Sequence, residues 1–180
     1  GKIRRLFASA ITPKGFMHFL PGIIDPNPIL YALVGLIGSG KATLLEKLTT
    51  SAVERGFDCE AYCCGFDPMK IEHLVIPKLG VAVTTATNPH CHGLEQAMSV
   101  INMEDCLSPL LEKRYGHLLQ DDTIAYRQLL DQAVASLARA KTVHDQLEQY
   151  YIPNMNFAAI DEVRERLIEK ILEGEGEEQV

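Results

Sequence analysis

A glycine-rich stretch with a single lysine, Gly35 to Thr43, contains the residue types that bind phosphate. An apolar run, Ile29 to Val34, precedes it, and leucines at helical spacing follow it. Glycines at such a turn leave the backbone amides free to surround an anion, and the positive end of the following helix dipole favours the same charge. A lysine placed here reaches the β and γ phosphates as a point charge. The pattern predicts a strand, a phosphate-binding loop and a helix from about Lys41 to Arg55.

The loop departs at one place from the strict pattern G-x-x-x-x-G-K-[ST]. Gly35 to Lys41 fit it, but Ala42 stands where a hydroxyl normally ligates Mg²⁺. Thr43, one place later, resembles the G-x-x-G-x-G-K-G-T form of adenylate-kinase-like enzymes, whose magnesium position also lacks a hydroxyl. The alternative is that these residues form a strand-to-helix turn that binds no ligand. The apolar run before the loop and the helical pattern after it favour binding. We expect a nucleoside triphosphate, with Mg²⁺, to bind these residues: Gly35, Ile37, Gly38, Ser39, Gly40, Lys41, Ala42 and Thr43.

Three side chains receive roles in this predicted site. Lys41 neutralises phosphate charge, and Thr43 contacts the α phosphate and the magnesium shell. Asp67 follows a strand predicted over 58–64, and ligands of open α/β sheets bind beyond the carboxyl ends of the strands. We expect Asp67 to hold the magnesium shell or to orient a water. A turn-forming role before Pro68 is the open alternative.

Composition and periodicity predict an α/β fold. The chain has 180 residues, of which 47% are hydrophobic, and can bury one sizeable core. Besides the loop and its flanks, the patterns indicate a strand over 3–10, a helical patch over 16–23, the strand over 58–64, a short crossover from residue 69 and a strand over 80–85. Successive strand-helix-strand units imply a mainly parallel sheet. We expect the three-layer fold of P-loop nucleoside triphosphatases.

The last part of the chain is predicted to be helical. Residues 86–106 show little periodicity and predict a long loop. Helical patterns then cover 123–150 and 161–172, and Arg127 and Asp131 have the spacing of an i,i+4 ion pair. We expect the two helices to form a C-terminal hairpin with their apolar faces turned inward.

Charge and cysteine content indicate which partners and which cellular compartment to expect. The net charge of −7 and the lack of a long basic block argue against nucleic acid as a partner, and no apolar run could span a bilayer. Five cysteines without a spaced framework favour a reduced, cytoplasmic compartment, and those over 59–64 are expected to be buried in a strand. Because the chain begins at Gly1, we expect the natural one to be longer. We predict one domain over 1–172, helical from about 108, and an acidic tail over 173–180.

Three segments carry a family resemblance: Ala8–Phe16, Cys64–Pro68, and Gly80–Val83 with Thr87–His90. Together they resemble the uncharacterised Firmicute tandem P-loop ATPase-like family, in which two such halves share one polypeptide. The resemblance covers nearly the whole chain, and the chain is most similar to the C-terminal half of these proteins. It implies nucleotide binding, with a second P-loop half or another copy of the chain as partner. In the family an acid follows the strand that here ends near Thr85, and its loss weakens the case for hydrolysis more than for binding.

Three functions fit these residues. The first is ATP binding with slow hydrolysis, adenine being favoured because the Asn-Lys-x-Asp guanine signature is missing. The second is a small-molecule kinase of the nucleotide-kinase type, which needs a basic lid over the phosphates. Residues 86–109 contain no arginine or lysine, so Arg114 and Arg127 are the nearest candidates for that lid. The third is a nucleotide-sensing interaction module, motivated by Ala42 and Thr85.

Overall fold

The computed structural model describes residues 1–88, 92–108 and 110–175. Its contacts divide the chain into two compact units, Gly1–Ala138 and Arg139–Val180. The sequence predicts one domain over 1–172, whereas the structure has a unit boundary inside the part predicted to be helical. The first unit contains every strand that the structure describes, and with them the glycine-rich loop.

Six of the described strands form one mixed sheet in the order β1-β5-β6-β7-β4-β8. Within it β6 is antiparallel to both of its neighbours, and the other pairs are parallel. The predicted α/β class with a mainly parallel sheet is therefore confirmed. The bounds, in chain order, are β1 (Ile3–Phe7), β2 (Ser9–Thr12), β3 (Gly15–His18), α1 (Leu20–Ile24), β4 (Ile29–Val34), α2 (Lys41–Glu54), β5 (Cys59–Cys63), β6 (Ile71–Ile76), β7 (Val81–Thr85), β8 (Ser99–Asn102), α3 (Leu110–Tyr151) and α4 (Phe157–Glu175).

The strand, loop and helix around the glycine-rich motif form as predicted. Strand β4 has the predicted bounds, and α2 ends one residue before Arg55. Gly56 follows with φ +83°, the left-handed conformation that ends many helices. Helix α2 packs on one face of the sheet, where Leu45 is fully buried. Helix α1 packs on the other face, which is compatible with a three-layer fold.

One predicted helical patch and one predicted crossover are wrong. Residues 16–18 belong to β3, which pairs with β2 around a turn in which Thr12 Oγ1 donates to the Gly15 carbonyl at 2.8 Å. A tight turn favours a hairpin over the helix that the apolar spacing suggested. The crossover predicted from residue 69 is strand β6, because so short a connection after β5 can return the chain only as an antiparallel neighbour.

The predicted loop over 86–106 contains a strand. Strand β8 pairs in parallel with β4, and Val34 lies opposite Asn102. A 3-10 turn, Met103–Cys106, follows directly. All four residues of β8 are exposed at the sheet edge, so the alternation of buried and exposed positions that reveals a strand in sequence is missing.

The two long helices extend beyond their predicted bounds. Helix α3 starts at Leu110 and α4 reaches Glu175, so the tail predicted from residue 173 begins within a helix. The predicted inward apolar faces are only partly formed within this chain. Leu130, Ala133, Val134 and Ala138 of α3 are partly buried, but the other large side chains of these faces are exposed: Leu129, Leu137, Val143, Val163, Leu167, Ile168 and Ile171. The predicted hairpin stays a prediction. Among the described residues, none of these helices is both long and apolar enough to cross a membrane.

Candidate functional site

The glycine-rich loop joins the carboxyl end of β4 to the first turn of α2. Gly35, Gly38 and Gly40 all have positive φ, at +134°, +85° and +90°. Any other residue would strain this backbone. A Cβ added to Gly38 would meet no described atom within 4 Å, so open space lies over the loop at this point.

The ammonium group of Lys41 lies over this loop. Its Nζ donates to the carbonyl oxygens of Gly35 and Leu36, both at 2.7 Å, and to Ser39 Oγ at 3.3 Å. Partial burial lowers the pKa of Lys41, and the nearby charge of Glu104 opposes that shift. The cation therefore holds together the two ends of the loop, and it would be available to an anion that displaced these neutral oxygens.

The first turn of α2 adds further positive potential. The first amides of a helix have no partner within the helix, and here the N-cap is Gly40, which has no side chain to cap them. This turn, which lies wholly in the described part of the chain, also contains no acidic residue. Ala42 and Thr43 belong to it, and Thr43 is exposed. The predicted binding residues Gly35 to Thr43 are thus contiguous around an uncapped helix N-terminus.

Glu104 is a site residue that the sequence did not reveal. Its Oε1 accepts a hydrogen bond from the backbone amide of Leu36 at 3.0 Å. Asn102 fixes the turn that positions it, because its Oδ1 accepts from the Glu104 amide at 3.0 Å and its Nδ2 donates to Asp105 Oδ1 at 3.3 Å. Of the pair of carboxylates Glu104 and Asp105, called the acidic pair below, Glu104 therefore contacts the glycine-rich loop directly and Asp105 follows it in the chain. The sequence offers one local signal for this pair: both acids come shortly after the apolar residues Val100 and Ile101, as acids at the end of a strand would.

Asp67 lies at the same edge of the sheet but farther from the loop. Strands β6 and β7 separate β5 from β4, so the carboxyl ends of β5 and β4 are about 14 Å apart at ~4.8 Å per strand. The Asp67 carboxylate accepts from the Met69 amide at 3.1 Å and pairs with Lys70 at 3.1 Å. The bond from Lys70 and then that from Met69 lower the pKa of Asp67. These are the contacts of a turn-forming aspartate.

Thr85 and the acidic pair flank β4 on opposite sides. Thr85 ends β7 opposite Leu33 of β4, where the family resemblance places an acid, and it is buried. Glu104 follows β8, the other neighbour of β4. The carboxylate missing on one side of the loop is thus present on the other.

A cavity of about 800 Å³ adjoins the loop at Leu36 and the acidic pair. Its far wall is formed by α3, which contributes Leu119, Thr123 and Arg127. The helix also contacts this edge of the sheet through Tyr126, whose ring centroid lies 5.9 Å from that of Phe66.

The cysteines of β5 are buried, as the sequence predicts. Cys59, Cys63 and Cys64 are buried free thiols, whereas Cys106 is exposed. Burial raises the pKa of Cys64 to about 11, so this thiol is protonated at neutral pH and is a poor nucleophile. Cys91, and with it His90 of the family-like segment, lies outside the described residues.

Comparison with known proteins gives no relative. No protein-family model matches the chain, and neither a curated protein nor a solved structure is significantly similar to it. The resemblance to the tandem P-loop family therefore stays a prediction.

Proposed function

We propose that this chain binds a nucleoside triphosphate, with ATP as the expected ligand, at the loop from Gly35 to Thr43. One observation carries the proposal. The Lys41 ammonium lies over a loop of positive-φ glycines that opens onto the uncapped N-terminus of α2. Backbone amides, helix dipole and lysine all favour an anion at one point.

The residues around the loop also fit Mg²⁺. Bound with the triphosphate, the ion would neutralise phosphate charge. Ala42 offers it no hydroxyl and Thr85 no carboxylate at the usual positions, but carboxylate oxygens suit this cation and Glu104 supplies them beside the loop. Glu104 is therefore the favoured residue for the magnesium shell. Asp67 is the second candidate, since it lies at the same sheet edge but three strand positions away.

Slow hydrolysis of ATP is the reaction this site would support with water alone. The charge-neutralising groups are Lys41 and Mg²⁺, and the described residues around the loop show no arginine bound to it, so we expect turnover to be weak. A nucleotide-sensing module without turnover is the alternative. The two are separated by comparing nucleoside diphosphate release by the wild type with that by Lys41→Ala.

A pair of glycine substitutions tests the binding site. Gly38 and Gly56 have nearly equal φ, +85° and +83°, and a Cβ at either would meet no described atom within 4 Å. Gly38→Ala and Gly56→Ala should therefore cost similar backbone strain, but only the first puts a methyl group where the phosphates would lie. We expect Gly38→Ala to weaken ATP binding at least tenfold and Gly56→Ala to leave it unchanged, as measured by displacement of a fluorescent ATP analogue. Equal affinities in both variants would contradict the proposal.

A further inference from the structure

The cavity beside the loop lies at one particular end of the expected triphosphate. The lysine of such a loop reaches the β and γ phosphates, whereas the helix N-terminus receives the phosphates nearer the nucleoside. Lys41 Nζ lies 2.7 Å from the Leu36 carbonyl, and Leu36 lines the cavity. The cavity therefore opens at the γ-phosphate end, where the molecule that receives a phosphoryl group must approach.

The size of this cavity is that of a small-molecule site. Its volume of about 800 Å³ lies within the range of about 300–1,000 Å³ found for ligand pockets. A hydrolase needs room at this point for one water, about 30 Å³. The space is thus far larger than hydrolysis requires.

The lining defines the chemistry of an occupant. Leu36 and Leu119 supply apolar surface. The acidic pair lies at the loop end, and Asn102 orients the Asp105 carboxylate. Arg127 lines the α3 wall, and the predicted ion pair with Asp131 is not formed among the described residues. Arg127 is exposed, and a guanidinium with no partner among the described residues can pair with a carboxylate or phosphate at the cavity wall.

We propose, resting on the nucleoside triphosphate site above, that this cavity binds the phosphoryl acceptor: a small molecule with an apolar or planar body, at least one hydroxyl and one anionic group held by Arg127. The acceptor oxygen forms a bond to the γ phosphorus, and the bond from that phosphorus to the β–γ bridging oxygen breaks. The electron pair of the broken bond leaves with the nucleoside diphosphate, and the Asp105 carboxylate takes the hydroxyl proton. The chain is then a small-molecule kinase.

The experiment uses the full chain with ATP, Mg²⁺ and three probes that have this chemistry: pantothenate, mevalonate and adenosine monophosphate. We measure the Kd of ATP, the rate of nucleoside diphosphate release with each probe, and phosphate transfer to the probe by phosphorus NMR. The variants are Arg127→Gln, with Arg139→Gln on the same helix but outside the cavity as its matched control, and Asp105→Asn. Thr123→Trp, which fills the cavity from α3, provides an independent variant.

The expected result is that at least one probe raises nucleoside diphosphate release tenfold or more above the water rate and becomes phosphorylated. Arg127→Gln and Thr123→Trp should lose this stimulation while the Kd of ATP stays unchanged, and Arg139→Gln should behave as wild type. Asp105→Asn should lose the stimulation with the Kd of both ATP and the probe unchanged.

Two outcomes would show that the cavity is not an acceptor site. In the first, the wild type binds ATP but no probe is phosphorylated. In the second, Thr123→Trp and Arg127→Gln lose the binding of ATP itself. If the wild type instead binds ATP no more tightly than Lys41→Ala does, the proposed nucleotide site itself is wrong.

Discussion

At the scale of single residues, the proposed binding of a phosphate anion depends on Lys41. Its ammonium group donates to the oxygens of Gly35, Leu36 and Ser39. Its partial burial disfavours the charged form and so lowers its pKa. Only the protonated form attracts phosphate. The affinity for ATP should therefore fall as pH rises through this lowered pKa, which is below the ordinary 10.5.

Calorimetric titrations of ATP from neutral pH upward test this expectation. Lys41→Ala is the control, and its weak residual binding should not change over the same range. An affinity of wild type that stays constant up to 10.5 would show that the Lys41 charge does not contact the ligand.

The acids at the sheet edge can be separated by isosteric substitutions. Glu104→Gln keeps an oxygen that can accept from the Leu36 amide but removes the charge beside the loop. We expect Mg²⁺ to strengthen ATP binding in wild type and Asp67→Asn but not in Glu104→Gln. The measurement is the Kd of ATP with Mg²⁺ and with a chelator. Loss of the magnesium effect in Asp67→Asn alone would restore Asp67 as the metal ligand.

The site residues differ in how far the sequence could reveal them. Gly35 to Thr43 act through the local backbone, so their spacing alone predicts the loop. Glu104 acts on Leu36 across 68 residues, and that contact depends on the pairing of β8 with β4. A single sequence does not specify which strands are neighbours, so it could not show that Asp67, at the same sheet edge, follows a strand three positions away from β4.

At the scale of elements, the packing of α2 holds the loop in place. Leu45 of α2 is fully buried in the core against the sheet, whereas Leu167 of α4 is 54% exposed. The same change, leucine to alanine, should reduce the free energy of unfolding by about 2–5 kcal/mol at Leu45 and by about 0.5 kcal/mol or less at Leu167. Urea denaturation monitored by circular dichroism gives both values. Equal losses would contradict the assigned core.

The elements that the sequence predicted well are those with a strong local pattern. Strand β4 is an apolar run between Pro28 and Gly35, and helix α2 has helical spacing between Gly40 and Gly56. Strands β3 and β6 were mistaken because their apolar residues fit more than one period, and a tight connection decided the outcome. Strand β8 was missed because it is short and exposed.

At the scale of the whole molecule, the described structure contains two units with different surfaces. The first buries a core on both faces of its sheet. In the second, α4 is amphipathic, yet its apolar side chains are exposed, so the sequence pattern predicted the helix correctly and its burial wrongly. Amphipathicity indicates that a face can be covered but not what covers it. The expectation of a second P-loop half or another copy, in the cytoplasm, stays a prediction.

The central claim is that the loop binds a nucleoside triphosphate through Lys41. Calorimetric titration of ATP, with and without Mg²⁺, into wild type and Lys41→Ala tests it most directly, with Lys47→Ala of the same helix as the matched control. The account predicts saturable binding that Mg²⁺ strengthens, that Lys47→Ala retains, and that Lys41→Ala weakens between about ten- and a hundredfold, as expected for a lost charge-assisted bond of ~1.5–3 kcal/mol. Undetectable binding by wild type, or equal binding by wild type and Lys41→Ala, would contradict it.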